Sequence, residues 1–258
     1  MDPGRTRAGR GAAAYSALVP LADTDLSRVL CVAAHPDDLD FGASGTVAGW
    51  VDAGLPVTYL ICTRGDQGGF DDTPREKMPE IREREQRDAA AAVGVDDVRF
   101  LDGFRDGWLE PNHELQEALV RVIRQVRPDR MVIQSPERNW VRIGASHPDH
   151  LAAGEASIRA VYPAARNPFA YPHLLSDEGL EPWTVRETWL MADPAPDHLV
   201  DITETFERKL AALRAHRSQT GHRDDLEPMI RAWGTRTAEA GGLPEGRLAE
   251  AFRVVDTA

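Results

Sequence analysis

Short, unbroken apolar runs alternate along this chain with longer segments whose apolar residues recur at helical spacing. "RVLCVAAH" reads as a strand buried on both faces and is bounded by "PDD"; "ASGTVAGWVDAG" follows as a helix that stops at Gly54. "PVTYLICTRG" predicts a second core strand running into the polar, glycine-rich loop "RGDQGGFDDTP". "PREKMPEIREREQRDAAAAVG" predicts a long charged helix with an alanine face, closed by Gly94. Then come the short strand "DVRFLDG", the amphipathic helix "ELQEALVRVIRQVRP" and the strand "DRMVIQSP". The loop "ERNWVRIGAS" leads into a helix over "HPDHLAAGEASIRAVYPAARN". Past "PFAYPHLLSDEGLEPW", strands are expected at "TVRETWLMA" and "HLVDIT", helices at "ETFERKLAALRAHRSQT" and "DLEPMIRAWGTRTAEAGG", and a last edge strand at "AEAFRVVD". This succession is that of an α/β protein with a mostly parallel sheet covered on both faces.

No repeat or low-complexity linker divides the pattern, so residues 17–258 read as one domain behind a loose arm over residues 1–16. The 258 residues are 42% hydrophobic, enough for a sizeable core. A formal charge of −12 argues against partners recognised by electrostatic attraction, such as nucleic acid or an anionic membrane. No apolar stretch approaches transmembrane length, and none has the form of a signal peptide. Cys31 and Cys62 both lie in strand-like runs, which predicts buried free thiols and a reducing, cytoplasmic setting.

In open α/β sheets the ligand crevice lies outside the carboxyl ends of the strands. The unusual polar groups gather there. His35, Pro36, Asp37 and Asp38 follow the first strand, Asp66 the second, Asp106 the third, and Ser135 to His150 the fourth. His35 and Asp38, three apart at a strand-to-helix junction, can aim at one point, and His150 can add a third ligand from another loop. Three nitrogen and oxygen donors with a position left for water are the pattern of a catalytic zinc site, and the same donors suit iron(II). Asp37 stands between two of these ligands but points elsewhere, close enough to take a proton from a water on the metal. His147 lies on the same side of its helix as His150, placed either to donate a hydrogen bond to an oxyanion or to protonate a leaving amine. For "HPDD" alone, capping by Asp37 or Asp38 is the plain alternative. A second cluster, "HPDH", at another strand end outweighs it.

"AAHPDDLDFGASGT", "CTRGDQGG", "IREREQRDAAAAVGV" and "SHPDHLAAGEA", in that order, resemble the motifs of the PIG-L/LmbE-like family of metal-dependent N-deacetylases. "DITETFERKLAALRAHRSQT" resembles that family's closing helix, so the resemblance spans about residues 28 to 220. It implies a Rossmann-like three-layer α/β/α sandwich, usually with a zinc ion. It also implies removal of an acetyl group from N-acetylglucosamine-type sugars attached to another group. By the same resemblance His35, Asp38 and His150 are metal ligands, Asp37 is the general base, His147 stabilises the oxyanion, and Asp66, Arg82 and Asp106 contact the sugar. For the sugar contacts another reading stays open: Arg82 paired with Glu85 along a helix, and Asp66 serving a turn. His216 and Gln219 either face the cleft or pack the last helix.

Two positions depart from the family pattern. Leu39 stands where a glutamate commonly follows the paired aspartates, and an acid returns only at Asp40. Ala145 stands where the mycothiol-processing branch carries a tyrosine, with Trp140 and Arg142 nearby to occupy the space. The expected activity is zinc-dependent removal of an N-acetyl group from a small-molecule amino sugar or its conjugate. Two alternatives remain. One is a metal-dependent amidase acting on a thiol conjugate or a longer N-acyl group. The other is a non-catalytic Rossmann-like binding module, disfavoured because neither G-x-G-x-x-G nor a P-loop follows the first strand. "EPWTVRETW" offers a subunit contact for a homo-oligomer.

Overall fold

Strand β1 (Val29–Ala33) is buried along its whole length, as its unbroken apolar run requires, and the parallel sheet is built outward from it. In this computed structural model, which describes residues 19–258, α1 (Asp38–Gly42) and α2 (Ser44–Asp52) return the chain to β2 (Val57–Ile61). Helix α3 (Met78–Ala92) leads to β3 (Asp97–Phe100), and α4 (His113–Val126) crosses back to β4 (Arg130–Gln134). Next come α5 (Pro148–Arg159), the short α6 (Pro172–Ser176) and β5 (Glu187–Met191). The chain finishes with β6 (His198–Asp201), α7 (Phe206–Ala215), α8 (Arg217–Thr220), α9 (Leu226–Ala240) and β7 (Ala249–Asp256). The arm expected over residues 1–16 lies outside the described residues.

The strands form one sheet in the order β3-β2-β1-β4-β5-β7-β6. Strands β1 to β5 run parallel, and β7 is antiparallel to both its neighbours. "AEAFRVVD" is therefore not an edge strand. It lies between β5 and β6, with Phe252 opposite Met191 on one side and His198 on the other. The edge falls instead to four-residue β6, too short to template pairing with another chain.

Alternate residues of β1 serve opposite faces, as a strand's two-residue period dictates. Leu30 and Val32 pack with Leu115, Leu119 and Ile123 of α4 and with Ala153 and Ala156 of α5. Val29, Cys31 and Ala33 pack with Val47 and Trp50 of α2 and with Ala89 and Ala90 of α3. Both cysteines are buried and free. Arg130 is fully buried at the amino end of β4, where it pairs with Glu187 and Asp23 and lies over the Trp189 ring, 4.2 Å from its centroid. Within "EPWTVRETW", Trp189 is buried, and the Trp183 indole donates to the Pro128 carbonyl (2.7 Å).

Two expected helices break. The closing helix divides at His216 (φ −78°, ψ 60°) into α7 and α8, and the break turns the His216 ring inward. The "HPDH" helix ends at Arg159, after which the chain winds through a wider turn that contains Pro163. Helix α5 also packs closely over the end of β4. A Cβ on Gly154 would lie 2.3 Å from the Gln134 carbonyl oxygen and 2.9 Å from the Pro136 nitrogen. Helix propensity favours alanine over glycine by about 1 kcal/mol. Overpacking costs about 1–3 kcal/mol and cannot be relieved here by rotating a side chain, because both obstacles are backbone. Gly154→Ala is expected to lower the urea midpoint with an unchanged slope; an equal or higher midpoint would contradict this packing.

Candidate metal and catalytic site

Beyond β1 the chain reverses in a left-handed step. Asp37 has φ 86°, a conformation rare for a residue with a Cβ. Two side chains of α3 hold it there. The Asp37 N–H donates to Gln86 Oε1 (2.8 Å), while Arg82 donates to the Pro36 carbonyl (2.6 Å), the Gly65 carbonyl (3.1 Å) and Asp37 Oδ2 (3.2 Å). Gly65 is required for this approach, since its Cβ would fall 2.1 Å from Arg82 Nη1. Arg82 thus does not pair with Glu85, which instead accepts from Ser218 through its hydroxyl (2.6 Å) and backbone N–H (2.9 Å). Gln86 is itself fixed: its Nε2 donates to Asp40 Oδ2 (2.9 Å), which also meets His216 Nε2 (2.8 Å). Burial alone would push the His216 pKa down, but Asp40 overrides it and raises it.

The turn sends two adjacent carboxylates in different directions, Asp38 Oδ2 also accepting the His35 N–H (2.8 Å). Asp37 makes no side-chain cap bond. Burial pushes its pKa up to about 6, opposed by the Arg82 guanidinium and reinforced by Asp38. Asp38 lies between two histidines, with His35 Nδ1 at 3.4 Å and His150 Nε2 at 2.9 Å. Burial works against its charge, yet those histidines hold its pKa well below the usual carboxylate range. Leu39 is fully buried in the core beneath α1, while the neighbouring Asp40 meets Gln86 and His216.

The far side of His35 is also acidic: its Nε2 is 3.1 Å from both Asp106 Oδ1 and Asp149 Oδ2. Burial would lower the His35 pKa, but Asp106, Asp149 and Asp38 together raise it well above the ordinary value. Three largely buried carboxylates around one imidazole leave an excess of negative charge that a divalent cation would balance. Among the described residues, two donor groups have ligand atoms within 4.8 Å of one another, His35 with His147 and His150, and His35 with Asp106 and Asp149. The expected set of His35, Asp38 and His150 overlaps the first of these. It places Asp38 between the two rings and leaves His35 Nε2 bonded to a carboxylate, the usual outer partner of a metal-bound histidine. The donor set therefore fits a metal.

His147 precedes α5, and its Nδ1 accepts the Asp149 N–H (3.2 Å). With Nδ1 an acceptor, the neutral ring carries its proton on Nε2. Burial lowers the His147 pKa, and the neighbouring His35 and His150 lower it further. The ring is thus a neutral N–H donor before it is a proton carrier. Asp106 sits in the histidine cluster. Asp66 stands outside it, accepting the Asp106 N–H (3.1 Å) and facing Arg75 (3.5 Å) and Arg105 (3.7 Å). Gln219 lies beside Gly68 in the loop after β2. Sequence reasoning missed Asp149 and Gln86. Asp149 is the inner residue of "HPDH", whose carboxylate also accepts the Gly107 N–H (2.7 Å), and Gln86 lies one helical turn beyond Arg82 on the same face.

The PIG-L family profile, described as GlcNAc-PI de-N-acetylase, matches residues 30–161. A diacetylchitobiose deacetylase of Thermococcus kodakarensis is 32% identical over 94% of this chain and 91% of its own length. A probable N-acetyl-α-D-glucosaminyl L-malate deacetylase 2 of Bacillus cereus is 37% identical over 74% of this chain and 83% of its own. Among solved structures, the N,N′-diacetylchitobiose deacetylase of Pyrococcus horikoshii superposes with a TM-score of 0.81 at 31% identity, covering 91% of this chain and 85% of that one. With the family's motifs gathered on one rim of the family's fold, the chain belongs to the PIG-L family of de-N-acetylases.

Proposed function

We propose that this protein is a metal-dependent hydrolase that removes the N-acetyl group from an N-acetylglucosamine-type sugar or its conjugate. The observation that carries the reading is the divergence of two neighbouring carboxylates, Asp38 toward two histidines and Asp37 toward Arg82. His35, Asp38 and His150 hold the metal, and Asp106 and Asp149 orient His35 from behind. When bound, zinc, or iron(II) on the same donors, supplies a Lewis acid that polarises the acetamide carbonyl and brings the pKa of a water toward neutrality. Asp37 accepts the proton of the attacking water, its carboxylate aimed by Arg82 and its backbone by Gln86. His147 donates from Nε2 to the oxygen on which negative charge develops. Asp37, protonated by the first step, returns that proton to the departing amine. Arg82 serves the base, and Asp66 with Arg105 lines the outer loop that meets the sugar. Relatives named for deacetylating diacetylchitobiose and N-acetylglucosaminyl malate support this substrate class over a thiol-conjugate amidase or a binding module. The buried free thiols support a cytoplasmic setting, and no helix among the described residues is long and apolar enough to cross a membrane.

Acetate release across a panel of N-acetylated amino sugars tests the activity; no release from any of them, with metal supplied, rejects it. Asp37→Asn should lose about 10²–10⁴-fold in kcat while retaining its metal, the usual weight of a general base. Full turnover in that variant would overturn the assignment. Because Asp37 must be ionised to accept a proton and burial has pushed its pKa up to about 6, kcat/KM falls as the pH drops through its acid limb. Arg82→Met removes the cation that lowers this pKa, so the limb should move to higher pH; a limb that stays in place contradicts the role of Arg82. Dialysis against a chelator should abolish deacetylation and added zinc or iron(II) restore it, with the more effective ion read from initial rates.

A further inference from the structure

A cavity of about 620 Å³, within the range of small-molecule sites, opens beside the catalytic cluster but is lined by none of its histidines or by Asp37 and Asp38. Its walls are chiefly apolar. Phe41 of α1, Ile202 and Phe206 at the start of α7, and Ile230 and Trp233 of α9 face it. Of the six charged residues on its wall, Arg142, Asp193, Asp197, Lys209, Arg236 and Glu250, the buried Lys209 and Glu250 ask nothing of a ligand. Lys209 Nζ donates to the carbonyls of Asp40 (2.9 Å) and Phe41 (2.7 Å) and to Glu250 Oε1 (2.6 Å). Glu250 in turn accepts from the Gly45 N–H (3.0 Å), the Thr46 N–H (2.8 Å) and the Thr46 hydroxyl (2.6 Å). An occupant's charge would find no partner in the Lys209–Glu250 pair, whereas apolar surface would gain from leaving water against the apolar walls.

Two elements are shared with the reacting centre. Helix α1 carries Asp38 at its start, and its Phe41 and Gly42 line the cavity. The loop leading to His147 contributes Asn139, Arg142 and Ala145, and is closed on itself by the Asn139 N–H donating to Ser146 Oγ (2.7 Å), next to His147. Arg142 lies 5.3 Å from the Trp233 ring centroid, joining this loop to α9, and the loop's tip leaves Trp140 81% and Val141 100% exposed. We infer that the cavity is a specificity subsite that takes an apolar substituent, an alkyl or aryl group, borne by the amino sugar whose acetamide sits at Asp37 and His147. The inference rests on the deacetylase reading and narrows its substrate class.

The test compares methyl, phenyl and octyl glycosides of N-acetylglucosamine with the metal-loaded enzyme. The phenyl or octyl glycoside is expected to exceed the methyl glycoside by about tenfold or more in kcat/KM, the scale on which an apolar pocket discriminates. Thr237→Trp and Ala240→Trp, which fill the cavity from α9, should each erase that preference and leave the methyl glycoside's kcat/KM unchanged. Equal values for all three glycosides, or a preference that survives both variants, overturns the subsite. Tryptophan emission gives a readout independent of turnover. Octyl glycoside should produce a saturable change in the wild type that is lost in Trp233→Phe. If no glycoside is deacetylated, the catalytic reading fails, and the emission titration alone decides the subsite: a saturable, Trp233-dependent change supports it, and none overturns it.

Discussion

The chemistry of this chain depends on one backbone step, the left-handed turn at Asp37. Without it, Asp37 and Asp38 would follow ordinary helix geometry and present themselves about 100° apart around a helix start, with nothing to give them separate surroundings. With it, one carboxylate enters a pocket of histidines and the other meets a guanidinium. A non-glycine residue in this conformation persists only where its surroundings over-determine it. Here they do: Arg82 and Gln86 grip the turn from α3, Asp40 fixes Gln86, and His216 fixes Asp40 from the break between α7 and α8. The strain at the centre is held by three elements far apart in the chain.

Charge organises what the turn positions. Desolvation opposes ionisation of Asp37, Asp38, Asp106 and Asp149, and their charged neighbours decide the outcome. Asp38, Asp106 and Asp149 share the histidines and are held ionised by them. Asp37 has Arg82, with smaller help from His216 and His35, to offset burial, and its pKa stays pushed up to about 6. One fold thus shifts two chemically identical side chains in opposite directions, through their environment alone.

Much of this was legible beforehand because periodicity and strand-end chemistry are local signals. The unbroken runs marked the parallel strands, and the polar clusters after them marked the rim. The position of β7 was not legible, because its eight residues alternate like an edge strand and nothing within them records which neighbours it will find. The break at His216 was hidden for the same reason: "RAHRSQT" is helix-compatible, and only burial beside Asp40 turns the backbone. Asp149 escaped notice as the middle of "HPDH", where helix-start acids are ordinary. Leu39 was read as a gap in the acidic motif. It is core packing, and the acid beside it, Asp40, holds Gln86 and His216.

The place of β7 also constrains how the chain can assemble. Strand β6 is made before β7, yet its ladder partner within the sheet is β7, which in turn pairs with β5. Strand order in space therefore cannot follow strand order in time. Parallel strands β1 to β5 can join as they appear, but β6 must wait unpaired while α7, α8 and α9 are formed. Closing that long excursion is an entropic cost met late, which makes insertion of β7 a natural candidate for the slowest folding event in the sheet.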